Sequence, residues 1–318
     1  MRVLVTGCAG FVGSHLARRL LAEGHHVVGV DNFTDYYPRH IKASNIADML
    51  ADPRFEFHEL DLVTANLLPL LADVEIVYHQ AAQAGVRASW GAQFESYLRN
   101  NVLATQRLLE LLKALPIRKF VYASSSSVYG DAESYPTHED MVPRPVSPYG
   151  VTKLAAEQLT YLYWKNYGVP TIALRYFTVY GPGQRPDMAF HKFIASALHG
   201  RPIQVYGDGH QTRDFTFVSD VVEANIAAGL CEAAGIAVNV GGGSRVTVRQ
   251  VLAILQEILG RELLVEYTAP QHGDVRHTAA DIALANRVLG YEPRVSLREG
   301  LEAEVRWLEA QLALVRVA

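Results

Sequence analysis

Short runs of apolar, β-branched residues alternate along the chain with longer segments whose apolar positions recur every three or four residues. Val3 to Val5, Val27 to Val30, Phe55 to His58, Val74 to His79, Phe120 to Ala123 and Thr171 to Arg175 read as strands. Between them, Phe11 to Glu23, Phe94 to Leu115 and Pro148 to Tyr167 carry helical spacing. Repeated βα units of this kind predict a parallel, doubly wound α/β sheet with helices on both faces.

After Tyr180 the texture changes. GPGQRPD forms a Gly/Pro-rich loop, and the later strand patterns, near Ile203 to Tyr206 and Leu263 to Tyr267, are shorter and more scattered. The expected organisation is a Rossmann domain over residues 1–180 and a smaller C-terminal α/β domain over 181–318 that binds substrate. Asp214 to Leu230 reads as one more strand and helix, and Val238 to Val240 as another strand. Both are expected to rejoin the first sheet, so that residues 214–240 return to the first domain.

Composition narrows the functional classes. The 318 residues are 49% hydrophobic and 19% charged, which excludes a disordered chain. A net charge of −4 lacks the basic excess that a nucleic-acid or membrane-surface partner requires, so an anionic ligand must meet local arginines. Cys8 and Cys231 are too few for a disulfide framework, and neither has a CxxC spacing. No apolar run approaches the roughly 20 residues that span a bilayer, and MRVLVTG reads as a strand entering a turn rather than a signal peptide. A cytoplasmic protein is expected.

VLVTGCAGFVGSH places Gly7, Gly10 and Gly13 directly after a strand and at the start of an amphipathic helix. Such a turn lets backbone amides and a helix N-terminus face a pyrophosphate. The second strand ends in VVGVD, where the Asp31 carboxylate can accept both hydroxyls of an adenosine ribose and would repel a 2′-phosphate, favouring NAD over NADP. Asp61 and Leu62 follow the third strand, where an adenine can be held. YHQAAQ, Tyr78 to Gln83, ends the fourth strand in small residues that permit close approach of a cofactor.

At the other end of the crevice, the strand from Phe120 runs into SSSSVYG, followed by SPYGVTK. In a helix beginning near Pro148, Tyr149 and Lys153 share one face. A nearby ammonium favours the phenolate and is expected to lower the tyrosine toward the range of a general base, while Lys153 can bond the nicotinamide ribose and Ser125 can hold the reacting sugar oxygen. Taken alone, Tyr-x-x-x-Lys is an ordinary helix face. Following the glycine turn, Asp31 and the serine strand in that order, it reads as chemistry.

TGCAGFVG, Asp31, SSSSVYG, YGVTK and RYFTVYGP together resemble the extended short-chain dehydrogenase/reductase family, and within it the nucleotide-sugar epimerases, across essentially the whole chain. The resemblance implies a bound NAD that takes a hydride from C4 of a UDP-sugar and returns it to the opposite face, with Tyr149 as base, Ser125 as its partner and Lys153 as cofactor anchor. It further implies cofactor contacts from Phe11, Val12, Asn32, Ala81, Ala82, Gln83, Asn100 and Phe177. Cys8 stands where many relatives have glycine.

HQAAQAGVRAS and YFTVYGPGQRPDMAF resemble the UDP-glucuronate 4-epimerases more than the UDP-glucose enzymes, which typically carry asparagine in place of Thr178. A glucuronate carboxylate needs extra donors. Ser126, Ser127, Thr178 and Arg185 are the candidates, and Arg87, Ala189 and Phe190 are implied as substrate contacts beside them. UDP-glucuronate decarboxylases resemble the chain but typically have glutamate where Ser127 stands. IQVYGDGHQTRDF matches the family's uridine and diphosphate segment, implying Gln204, Val205 and Tyr206 beside the base and Arg213 toward the phosphates. GDVRHTAAD implies Asp274 at the uridine ribose and Arg276 at a phosphate. Gln271 occupies a place where UDP-glucose epimerases usually carry arginine. The histidines lack metal-ligand spacing, so no metal is expected.

The leading expectation is reversible interconversion of UDP-glucuronate and UDP-galacturonate. A UDP-glucose or UDP-N-acetylglucosamine 4-epimerase, a UDP-glucuronate decarboxylase, and a catalytically silent NAD-binding scaffold remain alternatives. A homodimer formed through the helices Phe94 to Leu115 and Pro148 to Tyr167 is implied by the same resemblance.

Overall fold

The fold was determined as a computed structural model that describes residues 1–317. Its first half runs β1 (Arg2–Thr6), α1 (Phe11–Ala22), β2 (His26–Asp31), α2 (Arg39–Ile46), β3 (Phe55–Glu59), β4 (Ile76–His79), α3 (Phe94–Tyr97), α4 (Ala104–Leu112), β5 (Lys119–Ser125), α5 (Pro148–Tyr167) and β6 (Thr171–Tyr176). The second half adds β7 (Thr178–Tyr180), α6 (Ala189–Leu198), β8 (Ile203–Tyr206), β9 (Thr212–Phe217), α7 (Val218–Leu230), β10 (Ile236–Val240), β11 (Arg245–Thr247), α8 (Val248–Leu259), β12 (Val265–Thr268), α9 (Ala283–Leu289) and α10 (Leu297–Val317).

Seven strands form one parallel sheet in the order β10-β6-β5-β4-β1-β2-β3. Side chains alternate across it. Val3, Val5, Val27, Ile76 and Val121 join Leu16, Leu20 and Val221 on one face, while Leu4, Val28, Val77, Phe120 and Tyr122 join Leu108, Leu112 and Ala156 on the other. This two-residue period, buried on both sides, explains the continuous apolar runs in the sequence. Strand order reverses between β1 and β4, which opens a crevice at the carboxyl ends of the strands.

A separate apolar cluster joins Tyr180, Phe190, Ile194, Ile203, Val205, Phe215, Leu255, Leu301 and Leu308 around two small sheets, β11-β9-β7 and β12-β8. β10 rejoins the main sheet beside β6, as expected, and α7 packs on that sheet through Val218, Val221 and Ala224. The expectation that the strand before α7 also rejoins it is corrected. β9 pairs with β7 in parallel and β11 in antiparallel fashion, and Phe215 faces the second cluster.

The helical pattern Phe94 to Leu115 is likewise interrupted. α3 passes through a π-helical stretch, Leu98–Leu103, into α4, which ends at Leu112. By contrast, α5 begins and ends where its local signals place it. Ser147 caps the Gly150 amide at 3.1 Å, Pro148 occupies the first turn, and Gly168 closes the helix with φ of 72°. Among the described residues, no helix is long and apolar enough to cross a membrane, and no His, Cys, Asp and Glu side chains group to hold a metal ion.

Candidate active site

A cavity of about 650 Å³ lies over the carboxyl ends of the central strands and extends between the two apolar clusters. Its first wall begins at Thr6, where the chain turns through Gly7 at φ of +69°. A Cβ on Gly7 would stand 2.7 Å from the Ala81 amide nitrogen, and one on Gly13 would stand 2.0 Å from the Gly7 carbonyl oxygen. Glycine is therefore required for α1 to pack against the turn. No side chain caps α1, and Gly7, Gly10, Phe11, Val12 and Gly13 all face the cavity, leaving first-turn amides as anion donors.

Asp31 and Asn32 continue this wall from the end of β2. Asp31 accepts hydrogen bonds from the amides of Ala9 (3.1 Å) and Phe33 (2.8 Å). Burial raises its pKa, with the Phe33 amide, Lys42 and the Ala9 amide acting against that rise. Asp61 and Leu62 also line the wall, and Asp61 is held by Arg99 at 2.7 Å.

At the end of β4, Ala81, Ala82 and Gln83 pass beside Asn100, and all four line the cavity. Asn101, unassigned from the sequence, fixes this segment from below. It accepts from the Gln83 amide (2.7 Å) and donates to the Gln83 carbonyl and the Thr152 hydroxyl (3.0 Å each). The second asparagine of NNV was its only sequence signal. Beneath it, His79 bridges the hydroxyls of Thr6 and Thr105, and burial pushes its pKa down to about 3, so the ring stays neutral.

Tyr149, Lys153, Ser125 and Phe177 line the same cavity. The first turn of α5 presses on the serine loop so closely that a Cβ on Gly150 would lie 2.5 Å from the Ser127 carbonyl oxygen. Ser125 Oγ accepts the Ser127 amide at 3.2 Å, capping the short 3-10 turn of Ser126 and Ser127. Lys153 Nζ donates to the Ala123 carbonyl at 2.7 Å, and burial lowers its pKa to about 7.

The expectation that Lys153 lowers the tyrosine is corrected here. Burial raises the Tyr149 pKa above the ordinary phenol value, opposed by the nearby Ser125 hydroxyl and by the positive charge of Arg185. Lys153 Nζ sits 6.0 Å from the Tyr149 ring centroid and spends a proton on Ala123.

Thr178, Ser126, Ser127 and Arg185 also line the cavity. Arg185 forms a two-bonded pair with Asp187, whose carboxylate also accepts the Tyr36 hydroxyl at 3.3 Å. Tyr36 and Asp187 carried no recognisable signal, because 151 positions separate them. Ala189, Phe190, Gln204, Val205, Tyr206 and Arg213 line the cavity as well. Asp274 is paired with Arg87 at 2.6 Å, and the Arg87 guanidinium lies 4.2 Å over the Tyr206 ring. Of the residues assigned to the site from the sequence, Arg276 alone stands outside the cavity wall. It is exposed and bonds Asp208 at 2.9 Å.

A tyrosine, a buried lysine and serines below a glycine-lined anion cradle can move a proton at a carbinol beside a dinucleotide. The family model described as "NAD dependent epimerase/dehydratase family" matches residues 3–241. The chain belongs to that family. Among curated proteins it is 43% identical over 312 residues to an uncharacterized UDP-glucose epimerase of Bacillus subtilis (strain 168), covering 98% of each chain. It is 39% identical over 318 residues to a UDP-glucuronate 4-epimerase of Thermodesulfobacterium geofontis (strain OPF15), again covering 98% of each. A crystal structure of UDP-glucuronic acid 4-epimerase from Bacillus cereus in complex with UDP-glucuronic acid and NAD superposes with a TM-score of 0.95 at 43% identity, covering 98% of this chain and 100% of that one. The epimerase/dehydratase family's dinucleotide fits the residues present. The Gly7–Gly13 cradle leaves no room for a Cβ at either end, and Asp31 offers a carboxylate where a 2′-phosphate would be repelled.

Proposed function

We propose that this chain reversibly epimerises UDP-glucuronate to UDP-galacturonate at C4, with NAD as its resident cofactor. The observation that supports it is that Arg185, Thr178, Ser126 and Ser127 line one cavity with Tyr149, whose phenolate the Arg185 charge favours, and that neither serine position carries a carboxylate. NAD, when bound, supplies a reversible acceptor for the hydrogen at C4. The glycine cradle and Asp31 hold it at one end, and Asn100, Phe177 and Lys153 at the other.

Tyr149 takes the C4 hydroxyl proton on its phenolate oxygen and returns it on the opposite course, with Ser125 Oγ sharing the bond. Arg185 supplies the positive charge that favours the phenolate against burial. Lys153, whose pKa lies near 7, can release or regain a proton in the working range.

The 4-keto sugar of a glucuronate is a β-keto acid, and its carboxylate must be kept. Hydrogen bonds from Thr178, Ser126 and Ser127 and the charge of Arg185 stabilise a carboxylate that retains its negative charge. Carbon dioxide loss moves that charge off the carboxylate and onto the enolate oxygen at C4, so contacts to the carboxylate favour the ground state over the decarboxylation transition state. Uncharged UDP-glucose is a second substrate reading. It is supported by the Asp187 carboxylate, which already balances Arg185 without a substrate carboxylate.

Residues 1–180, with 214–240, are read as the NAD unit and 181–318 as the UDP-sugar unit, although β9 belongs to the small sheet. Leu98, Leu103, Val151 and Leu162 leave apolar surface exposed along the Leu98–Leu103 stretch and α5, which supports a homodimer through that face. Two unpaired cysteines support a cytoplasmic setting. Incubation with UDP-glucuronate followed by proton NMR tests the reading. UDP-galacturonate is the expected product, whereas UDP-xylose or a 4-keto pentose would assign a decarboxylase.

A further inference from the structure

One side chain joins the helix behind the glycine turn to the loop that carries Arg185. His15, on α1, places Nε2 at 2.7 Å from the Pro182 carbonyl oxygen. A carbonyl only accepts, so Nε2 carries the proton, and burial favours the neutral ring. The imidazole is held edge-on against Phe11, with centroids 5.9 Å apart and planes at 85°. Phe11 itself lines the cavity.

The loop lies directly on these two rings. At Gly183, with φ of +82°, a Cβ would touch His15 Nε2 at 3.4 Å and the Phe11 ring at 3.7 Å. Other bonds fix the loop from different quarters: Glu304 accepts the Gly181 amide at 3.0 Å, Gln184 donates to the Val179 carbonyl at 3.2 Å and accepts the His191 amide at 2.9 Å, and Tyr36 donates to Asp187. Of these ties, only His15 comes from α1. Because α1 is wedged against the Gly7 carbonyl at Gly13, the glycine turn and His15 move as one piece.

We propose that His15 is a positioning residue for Arg185: through the Pro182 carbonyl it sets the loop that faces the sugar's C5 carboxylate in register with the helix that receives the dinucleotide. The identity of that carboxylate rests on the proposed epimerase function. His15 does not line the cavity and touches no reacting atom. Its loss lets the Arg185 guanidinium drift, and misplacement of about 1 Å at a positioned group is enough to cost up to about a hundredfold in rate. The charged sugar, which needs Arg185, is affected more than the uncharged one.

The test compares His15→Ala with His15→Gln, whose side-chain amide retains an N–H donor. Two quantities are read: amide hydrogen exchange over residues 181–191, and the ratio of kcat/KM for UDP-glucuronate over UDP-glucose. In His15→Ala, exchange in that segment is expected to accelerate and the ratio to fall by about tenfold or more, with His15→Gln recovering both in part. If His15→Ala does not fold, His15→Asn, too short to reach Pro182, takes its place. Unchanged exchange overturns the tie. Accelerated exchange with equal losses on both sugars overturns the role toward Arg185. Wild-type protein inert on UDP-glucuronate contradicts the epimerase reading instead, and the exchange rates then decide the tie alone.

Discussion

Arg185 meets Asp187 through two hydrogen bonds, Nε to Oδ1 at 2.9 Å and Nη2 to Oδ2 at 3.0 Å. The cation beside Tyr149 is thus balanced before any substrate enters, and two substitutions separate charge reading from charge balance. Arg185→Ala is expected to cut kcat/KM for UDP-glucuronate by about ten- to hundredfold more than for UDP-glucose, the scale of a lost charge-assisted bond. Asp187→Asn leaves Arg185 uncompensated and is expected to raise the preference for the charged sugar. Equal losses on both sugars in the alanine variant would remove Arg185 as the carboxylate reader.

Tyr149 lines the cavity, half-buried, together with Ser125. Tyr149→Phe retains the ring and its edge contact with Tyr97 but removes the proton carrier. Turnover is expected to fall by about 10²- to 10⁴-fold, while NAD, quantified after release from denatured protein, remains bound. Unchanged turnover would reassign the base.

Burial lowers the Lys153 pKa from the ordinary 10.5 to about 7. Between those values the unfolded chain binds the extra proton and the folded one does not, so this group's contribution to stability rises with pH. Its destabilising effect is full below pH ~7 and is relieved as pH approaches that of a free lysine. In NAD-free protein, Lys153→Met is therefore expected to raise the denaturation midpoint most at pH ~6, with the gain shrinking by pH ~10. A gain independent of pH would mean that the buried ammonium is not its source.

The exposed Leu103 and Leu162 lie on the face assigned to the dimer. Leu103→Glu combined with Leu162→Glu places like charges there, and sedimentation is expected to show a dimer for the wild type and a monomer for the variant. A wild-type monomer at micromolar concentration would contradict that interface.

Legibility in the sequence followed the range of the forces involved. Both ends of α5 are set by neighbours within a few residues, and the glycine turn and Asp31 fall at the ends of strands whose apolar runs are plain, so pattern and capping chemistry located them. The break in the Phe94 to Leu115 pattern arises where Asn101 reaches Gln83 and Thr152, contacts that no helical period contains. The pairing of β9 was misjudged for a similar reason, since its partners are β7 and β11 in distant parts of the chain. Tyr36 and Asp187 escaped notice because their roles exist only once the β2 loop folds over the Arg185 loop. Arg276 matched a family motif, but it pairs with Asp208, 68 positions away, and stands outside the cavity wall. The order of tyrosine and lysine pKa values was also unreadable, because burial, rather than the spacing of Tyr149 and Lys153, governs both.

The central claim is a redox-neutral inversion at C4 with the carboxylate retained, and UDP-glucuronate deuterated at C4 tests it most directly. Incubated in ordinary water and followed by NMR and mass spectrometry, the labelled substrate is expected to yield UDP-galacturonate of unchanged mass, with the deuterium still on C4. Loss of the label to water, or a product lighter by carbon dioxide, would contradict it.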